Sequence, residues 1–495
     1  MDGCTRASGH GIRDPGLDKP GGSGTPDVPC PRIPSPESLS GKEYLMVTMD
    51  MQSEERVREW DRTHVFHSWS AQAKIDPMPV VGGAGCEFWD MEGKRYLDFS
   101  SQLIYSNLGH QHPRVVNAIK EQAERLCVIQ PSFANDKTAE LAHLLAERSP
   151  GDLDMVFFTN GGAEANENAI KLARAHTGRH KMLAAYRSYH GATHGAMALT
   201  GDPRRWASEP AISGVVHFVG PYTYRSSFHS ENEQQEAERA LAHLEEIVMY
   251  EGPQTIAGII LEVIVGTNGI LVPPGNYLQG VRELCDRHGI VMILDEVMTG
   301  FGRTGHWFGS IGFDVVPDII TCAKGITSGY VPLGAVLISQ KVADSFRDKV
   351  FFGGLTYSGH PLACAAGVGA IQAMEEEGVV ENAKKIGDEV LGPGLRELMK
   401  KHKSIGDVRG RGCFWGVELV KNRETREMLA PFNASAAEMG AVGEMGKAAM
   451  QRGVSLMLHW NVLIVAPPLI ITPDEAKRGL SVIDEVLEIC DKAAD

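Results

Sequence analysis

Four groups of side chains in this sequence stand where chemistry can be done. Lys324 closes the apolar run "DIITCAK" (318–324) and opens the glycine-rich stretch "GITSGYVPLGAV". A lysine desolvated at a strand end, with cations nearby, loses basicity and becomes a nucleophile toward carbonyls. Asp295 ends the run "VMILD", and an acid there is expensive to bury unless a cationic partner meets it. Gly161 and Gly162, in "TNGGAEANENAIKLAR" (159–174), lead from a strand into a helix. Glycines at that point let a phosphate approach free backbone N–H groups at the positive end of the helix dipole. Tyr189, in Tyr189-His190-Gly191, offers a ring that can stack on a flat heterocycle. Each has a plainer reading when taken alone: a lysine snorkelling to solvent, a carboxylate capping a turn, an ordinary βα turn, a ring packed in the core.

Taken together they describe one requirement. A phosphate cradle, a stacking ring, an acid for a ring nitrogen and an amine for an aldehyde are what pyridoxal 5′-phosphate (PLP) needs. No metal site is expected.

The elements that must position these residues are βα units. "DMVFFTN" (154–160), "GIILEVIV" (258–265), "VMILDEV" (291–297) and "DIITCAK" are apolar and rich in β-branched residues. Helical patterns such as "TAELAHLLAER" (138–148) and "YLQGVRELCDRHG" (277–289) lie between them. That alternation predicts an α/β fold with a mostly parallel sheet flanked by helices, and ligands gather at the carboxyl ends of such strands. "GCEFWDMEGKRYLDFSS" (85–101) predicts a β-hairpin turning at Glu92-Gly93. "CFWGVELV" (413–420) and "VLIVAP" (462–467) belong to a smaller α+β domain. We therefore read 1–53 as a disordered leader and 54–105 as the N-terminal segment of the small domain. The large PLP-binding domain takes 106–374, and 375–495 returns to the small domain.

A formal net charge of -15 argues against nucleic acid or an anionic membrane as partner. The nine cysteines are scattered without a CxxC pair, which predicts reduced thiols in a cytoplasmic protein. No apolar run is long enough to span a membrane.

The segments "FFTNGGAEANENAIKLAR", "YRSYHGAT", "LDEVMTGFGRTG", "AKGITSGYVPLGAV", "LTYSGHPLACAAG" and "APPLIIT" occur in this order. They resemble the class III (ω-) aminotransferases, PLP enzymes of fold type I, over roughly residues 60–490. The resemblance implies that Lys324 carries PLP as a Schiff base and that Asp295 partners the pyridinium. Val297 and Tyr189 match the residues on the two ring faces, and Gly162 and Ala163 match the amides that hold the phosphate. Thr356 matches a threonine that binds phosphate across a subunit boundary, which implies a homodimer with shared sites and leaves tetramers open. Glu262 matches the glutamate of the family's "EP..G" strand end, with Val263 in place of proline.

Departures from the family are informative. Ala163 stands where serine is usual. Ornithine-type members carry arginines where this chain has Ala192 and the run 462–465. The arginine that many members place before "APPL" is replaced by "LMLHWNVLIV" (456–465). The chain is similar to taurine:pyruvate and broad amine:pyruvate members, which implies a primary amine or ω-amino acid donor and pyruvate or a similar keto acid as acceptor. An aminomutase or decarboxylase on the same scaffold is the alternative, and a PLP-binding protein without turnover a more distant one. Trp69, Ile104 and Trp460 are the expected pocket wall. With no arginine to receive an acid, hydrophobic primary amines are expected to react at least as well as ornithine or γ-aminobutyrate, unless Arg409 or Arg411 in "VRGRGCFWG" reaches the pocket.

Overall fold

The computed structural model describes residues 54–495; the expected leader at 1–53 lies outside the described residues. Residues 54–77 belong to a unit of their own. There the helix Glu54–His64 is tied by Arg58 to Glu54 (2.7 Å) and to Asp76 (3.0 Å). Trp69 lies in this segment, exposed and with φ 54°.

The second unit, 78–495, holds three sheets. The first begins with β1 (Val80–Ala84), β2 (Glu87–Asp90) and β3 (Arg95–Asp98), paired antiparallel in that order. The expected hairpin is β2–β3. Asp90 Oδ1 accepts from the N–H groups of Glu92 (3.1 Å) and Lys94 (2.9 Å), and Gly93 takes φ 81° to close the turn.

The large sheet contains β4 (Met155–Thr159), β5 (Lys181–Ala185), β6 (Val215–Phe218), β7 (Ile256–Glu262), β8 (Val291–Asp295), β9 (Ile319–Cys322) and β10 (Gly334–Ile338). Its spatial order is β4-β10-β9-β8-β7-β5-β6. All neighbours run parallel except the two pairs made by β10. β8, β9 and β10 are buried along their whole length, and β7 up to Glu262. This is why they read as unbroken apolar runs: both faces are covered by helices. The helix Gly162–Thr177 presents Ala165, Ala169, Ile170 and Ala173 to the sheet, the three alanines allowing close approach.

The third sheet follows with β11 (Ile405–Arg411), β12 (Phe414–Asn422) and β13 (Glu427–Met428). Then β14 (Val454–Ser455) pairs parallel with β3, so the hairpin is joined to the C-terminal part. β15 (Met457–His459) and β16 (Val462–Val465) complete the order β11-β12-β16-β15. The helix Pro473–Lys492 starts on a capping box, Thr472 and Glu475 each bonding the other's backbone N–H. Among the described residues no helix is long and apolar enough to cross a membrane. The seven cysteines among them are free thiols, six of them buried.

Candidate active site

Parallel register brings three strand ends together. Glu262 on β7 stands beside Asp295 on β8, and Asp295 beside Thr321 on β9. Two residues past β9 the chain turns through Lys324, whose φ of 53° is the left-handed conformation that costs a lysine energy. Lys324 is half-buried, and its amine makes no hydrogen bond among the described residues. Burial lowers its pKa to about 8, partly opposed by the charges of Asp295 and Glu262 and assisted by Arg204 and Arg303.

Asp295 is fixed from three directions. Oδ2 accepts from Asn166 Nδ2 at 2.8 Å and lies 2.8 Å from His190 Nδ1; Oδ1 accepts from the Val297 N–H at 3.0 Å. Asn166 is itself held, accepting from Thr321 Oγ1 (2.7 Å) and donating to the His190 carbonyl (2.7 Å). Such a buried network holds a carboxylate in one orientation. His190 Nε2 is buried without a partner.

Glu262 positions the aromatic loop. Its Oε1 accepts from the Tyr189 N–H (2.9 Å) and its Oε2 from the Gly266 N–H (2.7 Å). Burial, with Asp295 beside it, raises its pKa to about 7 against the pull of His190 and those two N–H groups. Tyr189 carries the Arg204 guanidinium 3.8 Å from its ring centroid.

The glycine turn leads into the helix Gly162–Thr177 with no side chain capping its start, so first-turn N–H groups are left for a ligand. Gly162 has a steric reason: a Cβ there would fall 2.8 Å from Val297 Cγ2. Gly191, at φ 133°, would place a Cβ 2.5 Å from that of Ala163. Asp295, Glu262, Tyr189, Val297, Gly162 and Ala163 are thus linked through strand register, hydrogen bonds or direct packing, and Lys324 follows β9 by two residues, within the electrostatic reach of Asp295 and Glu262.

The remaining expected residues are placed as follows. Thr356 is exposed in the stretch before the helix Pro361–Glu376 and makes no hydrogen bond to the strand-end residues of its own chain. Ile104, expected in the pocket wall, is 1% exposed and packs in the cluster that holds Leu261, Ile264 and Ile464. Trp460 is half-buried at φ 54°, with its ring 4.0 Å from that of His459 and 4.5 Å from that of Phe432. Burial and the charges of Arg204 and Arg187 hold the His459 pKa down to about 4. Arg409 and Arg411 are engaged elsewhere. Arg409 bonds Glu418, Asp407 and the Gly269 carbonyl, while Arg411 bonds the Gly312 carbonyl and covers the Phe313 ring.

Sequence reasoning missed Asn166, Arg187 and Arg204. Asn166 carried a signal, a polar residue on the helix stripe shared with Ala165, Ala169 and Ile170. Arg187 lies beside the Trp460 wall, its guanidinium 5.0 Å from the Phe432 ring and 5.2 Å from the Tyr222 ring. Its one hydrogen bond is to the Asn268 carbonyl, 3.2 Å, and no carboxylate pairs with it among the described residues. Burial lowers its pKa.

The residues present fit PLP. An uncapped helix start suits the phosphate, a rigidly held strand-end carboxylate suits the ring nitrogen, and an unbonded amine of lowered basicity suits the aldehyde.

Comparison with known proteins agrees. The family model for class-III aminotransferases matches residues 70–487. The taurine–pyruvate aminotransferase of Bilophila wadsworthia is 35% identical over 447 residues, 88% of this chain and 95% of that protein. An uncharacterized aminotransferase of Bacillus subtilis, YhxA, is 33% identical over 454 residues, 89% of this chain and 98% of that protein. The taurine:2-oxoglutarate aminotransferase of Bifidobacterium kashiwanohense, solved with PLP and glutamate, superposes with a TM-score of 0.86 at 43% identity, covering 89% of this chain and 99% of that one. An (S)-enantioselective ω-transaminase from Thermomicrobium roseum gives 0.84 at 36% identity, covering 90% and 100%. With the strand-end geometry and these matches in hand, the chain belongs to the class III aminotransferases, PLP-dependent enzymes of fold type I.

Proposed function

We propose that this transaminase takes its amino group from an ω-amino acid whose far end is a sulfonate or carboxylate, and passes it to pyruvate or a similar keto acid. One observation carries the choice of donor: Arg187 lies against the Phe432 ring of the Phe432–Trp460 pair, and among the described residues no carboxylate forms an ion pair with it. A desolvated guanidinium whose one hydrogen bond goes to a neutral carbonyl is stabilised by an incoming anion. The taurine-specific names of two relatives support the same choice. This reading departs from the sequence-based expectation of hydrophobic amines, because an arginine now stands beside the wall where none was foreseen.

In this proposal Lys324 Nζ holds the cofactor and moves the proton during transfer. When bound, PLP supplies an electron sink for charge developing at the substrate carbon. Asp295 holds the proton of the ring nitrogen, and Asn166 and His190 hold Asp295. Tyr189 and Val297 cover the two ring faces, and the Gly162 and Ala163 amides bind the phosphate. Thr356 would complete the phosphate site of a second copy of this chain, making a homodimer. Its own exposure, and that of Val350, Phe352 and Tyr357 in the same stretch, support this. The free thiols support a cytoplasmic location.

The test compares kcat/KM for taurine, γ-aminobutyrate and 1-phenylethylamine with pyruvate, in wild type and Arg187→Met. Losing a charge-assisted hydrogen bond should lower kcat/KM for the acidic donors by about ten- to a hundredfold, while the arylalkyl amine changes little. Preference for the arylalkyl amine in wild type, with no effect of Arg187→Met, would overturn the choice of donor.

A further inference from the structure

Tyr189 is held at its main chain and free at its tip. Glu262 fixes its N–H, but its hydroxyl makes no hydrogen bond among the described residues. A half-buried ring without an anchored hydroxyl can turn about its side-chain bonds unless something packs on one of its faces. Arg204 does so. Its guanidinium carbon lies 3.8 Å from the ring centroid. That is contact distance for two flat groups, and well inside the roughly 6 Å over which an aromatic face attracts a cation.

Arg204 is itself fixed. Its Nε donates to Asp202 Oδ1 (3.1 Å) and Oδ2 (2.8 Å), and its Nη2 bonds both that carboxylate and Thr267 Oγ1, the latter at 3.0 Å. Asp202 is 1% exposed and anchored in turn. Its Oδ1 accepts from the Arg204 N–H (2.9 Å) and its Oδ2 from Asn268 Nδ2 (3.0 Å). A planar guanidinium can pair with a carboxylate along one edge while its face lies on a ring, and the ammonium of a lysine cannot do both. Glu262 and Thr267 belong to one short segment at the end of β7, so the main chain of Tyr189 and the guanidinium share a support. The charge of Arg204 also reaches Lys324, where it assists the lowering of the amine's pKa.

We propose that Arg204 is a positioning residue: clamped on Asp202, it occupies one face of Tyr189 and holds the ring ready to cover the cofactor with the other. This rests on the proposed place of Tyr189 over the cofactor ring. A ring already fixed loses less freedom when the cofactor arrives, and the difference appears as affinity.

A double-mutant cycle on PLP affinity in the full chain tests this. Apoenzyme is titrated with PLP and followed by absorbance, for wild type, Arg204→Lys, Tyr189→Leu and the two combined. Arg204→Lys keeps a cation for Asp202, at the start of the turn Pro203–Ser208, but loses the flat stack. It should weaken PLP about fivefold, the effect of leaving one more side chain to be ordered on binding. In Tyr189→Leu, where no ring is left to hold, the same substitution should change affinity by less than about twofold. Should Arg204→Lys fail to fold, Asp202→Asn, which removes the charge that fixes the guanidinium, takes its place in the cycle with the same expectation. An equal loss in both backgrounds would show that Arg204 supports the fold and not the ring. No loss in the chain that keeps Tyr189 would show that the ring needs no clamp. Either result overturns the proposal. Tyr189→Leu alone should weaken PLP. An unchanged affinity there would overturn the placing of Tyr189 over the cofactor, and this proposal with it, whereas a loss there with an equal Arg204→Lys effect in both backgrounds counts against the clamp alone.

Discussion

Lys324 meets conflicting demands. In the proposed role it must be neutral to attack an aldehyde, yet the charges of Asp295 and Glu262 favour its charged form. Burial wins, with the pKa falling from 10.5 to about 8. At pH 7 this gives a neutral fraction roughly 300-fold larger than that of an ordinary lysine. The sign is testable in the apoenzyme. Cofactor capture, followed by absorbance, should rise about tenfold per pH unit and flatten near pH 8, not continue toward pH 10 as for a free lysine amine. Asp295 raises the amine's pKa, so Asp295→Asn should move that midpoint to lower pH while weakening retention of the cofactor. A rate still climbing steeply beyond about pH 9 would show that Lys324 keeps an ordinary basicity. Asn166→Ala probes the support of Asp295. It should leave the midpoint nearly in place but loosen the ring-nitrogen contact, seen as faster cofactor loss on dialysis.

In the proposed site the helix Gly162–Thr177 would bring its uncapped N–H groups to the phosphate while Val297 covers the ring. The two requirements meet at Gly162, where a methyl would fall 2.8 Å from Val297 Cγ2. Gly162→Ala should therefore weaken PLP binding about five- to 150-fold, the range that overpacking of one to three kcal/mol produces. Adding Val297→Ala removes the clashing methyls and should recover part of the loss, read by equilibrium titration of the cofactor. An equal loss with or without Val297→Ala would place the strain elsewhere. Elements differ in how far they could be read from sequence. β7, β8 and β9 were legible because both their faces are buried, so each is an apolar run, and β7 and β8 end in a carboxylate that asks for a partner. β5, with its alanines, and β10, which opens inside a glycine-rich stretch, carry weaker signals. β11 is interrupted by Asp407, Arg409 and Arg411 and gave none. The same physics divides the site. Asp295 and Lys324 announce themselves in sequence by closing apolar runs. Asn166 is meaningful only because Thr321 and Asp295 come from distant strands, and Arg187 only because Phe432 packs on it from far along the chain.

At the scale of the molecule, one chain holds most of a PLP site but leaves Thr356 on an exposed stretch with Phe352, which is 90% exposed. An apolar ring in that position is stabilised by burial against another surface, and in the proposed homodimer that surface is a second copy of the chain, whose phosphate site Thr356 would join. Complementation tests this without a crystal. A Lys324→Ala subunit lacks the amine, and a Thr356→Ala subunit lacks the donated hydroxyl. If the threonine acts in trans, a mixed dimer has one site free of both changes and one site bearing both. Random exchange of an equal mixture makes half of all dimers mixed, so about a quarter of all sites become intact. Activity at low PLP, where the lost hydroxyl matters most, should rise to about that share of wild type, well above either parent. Without trans action every site keeps one lesion, and the mixture stays at the average of its parents. Subunit exchange is verified independently, by recovering a mixed species from two differently tagged chains, so that a flat result counts against shared sites and not against mixing.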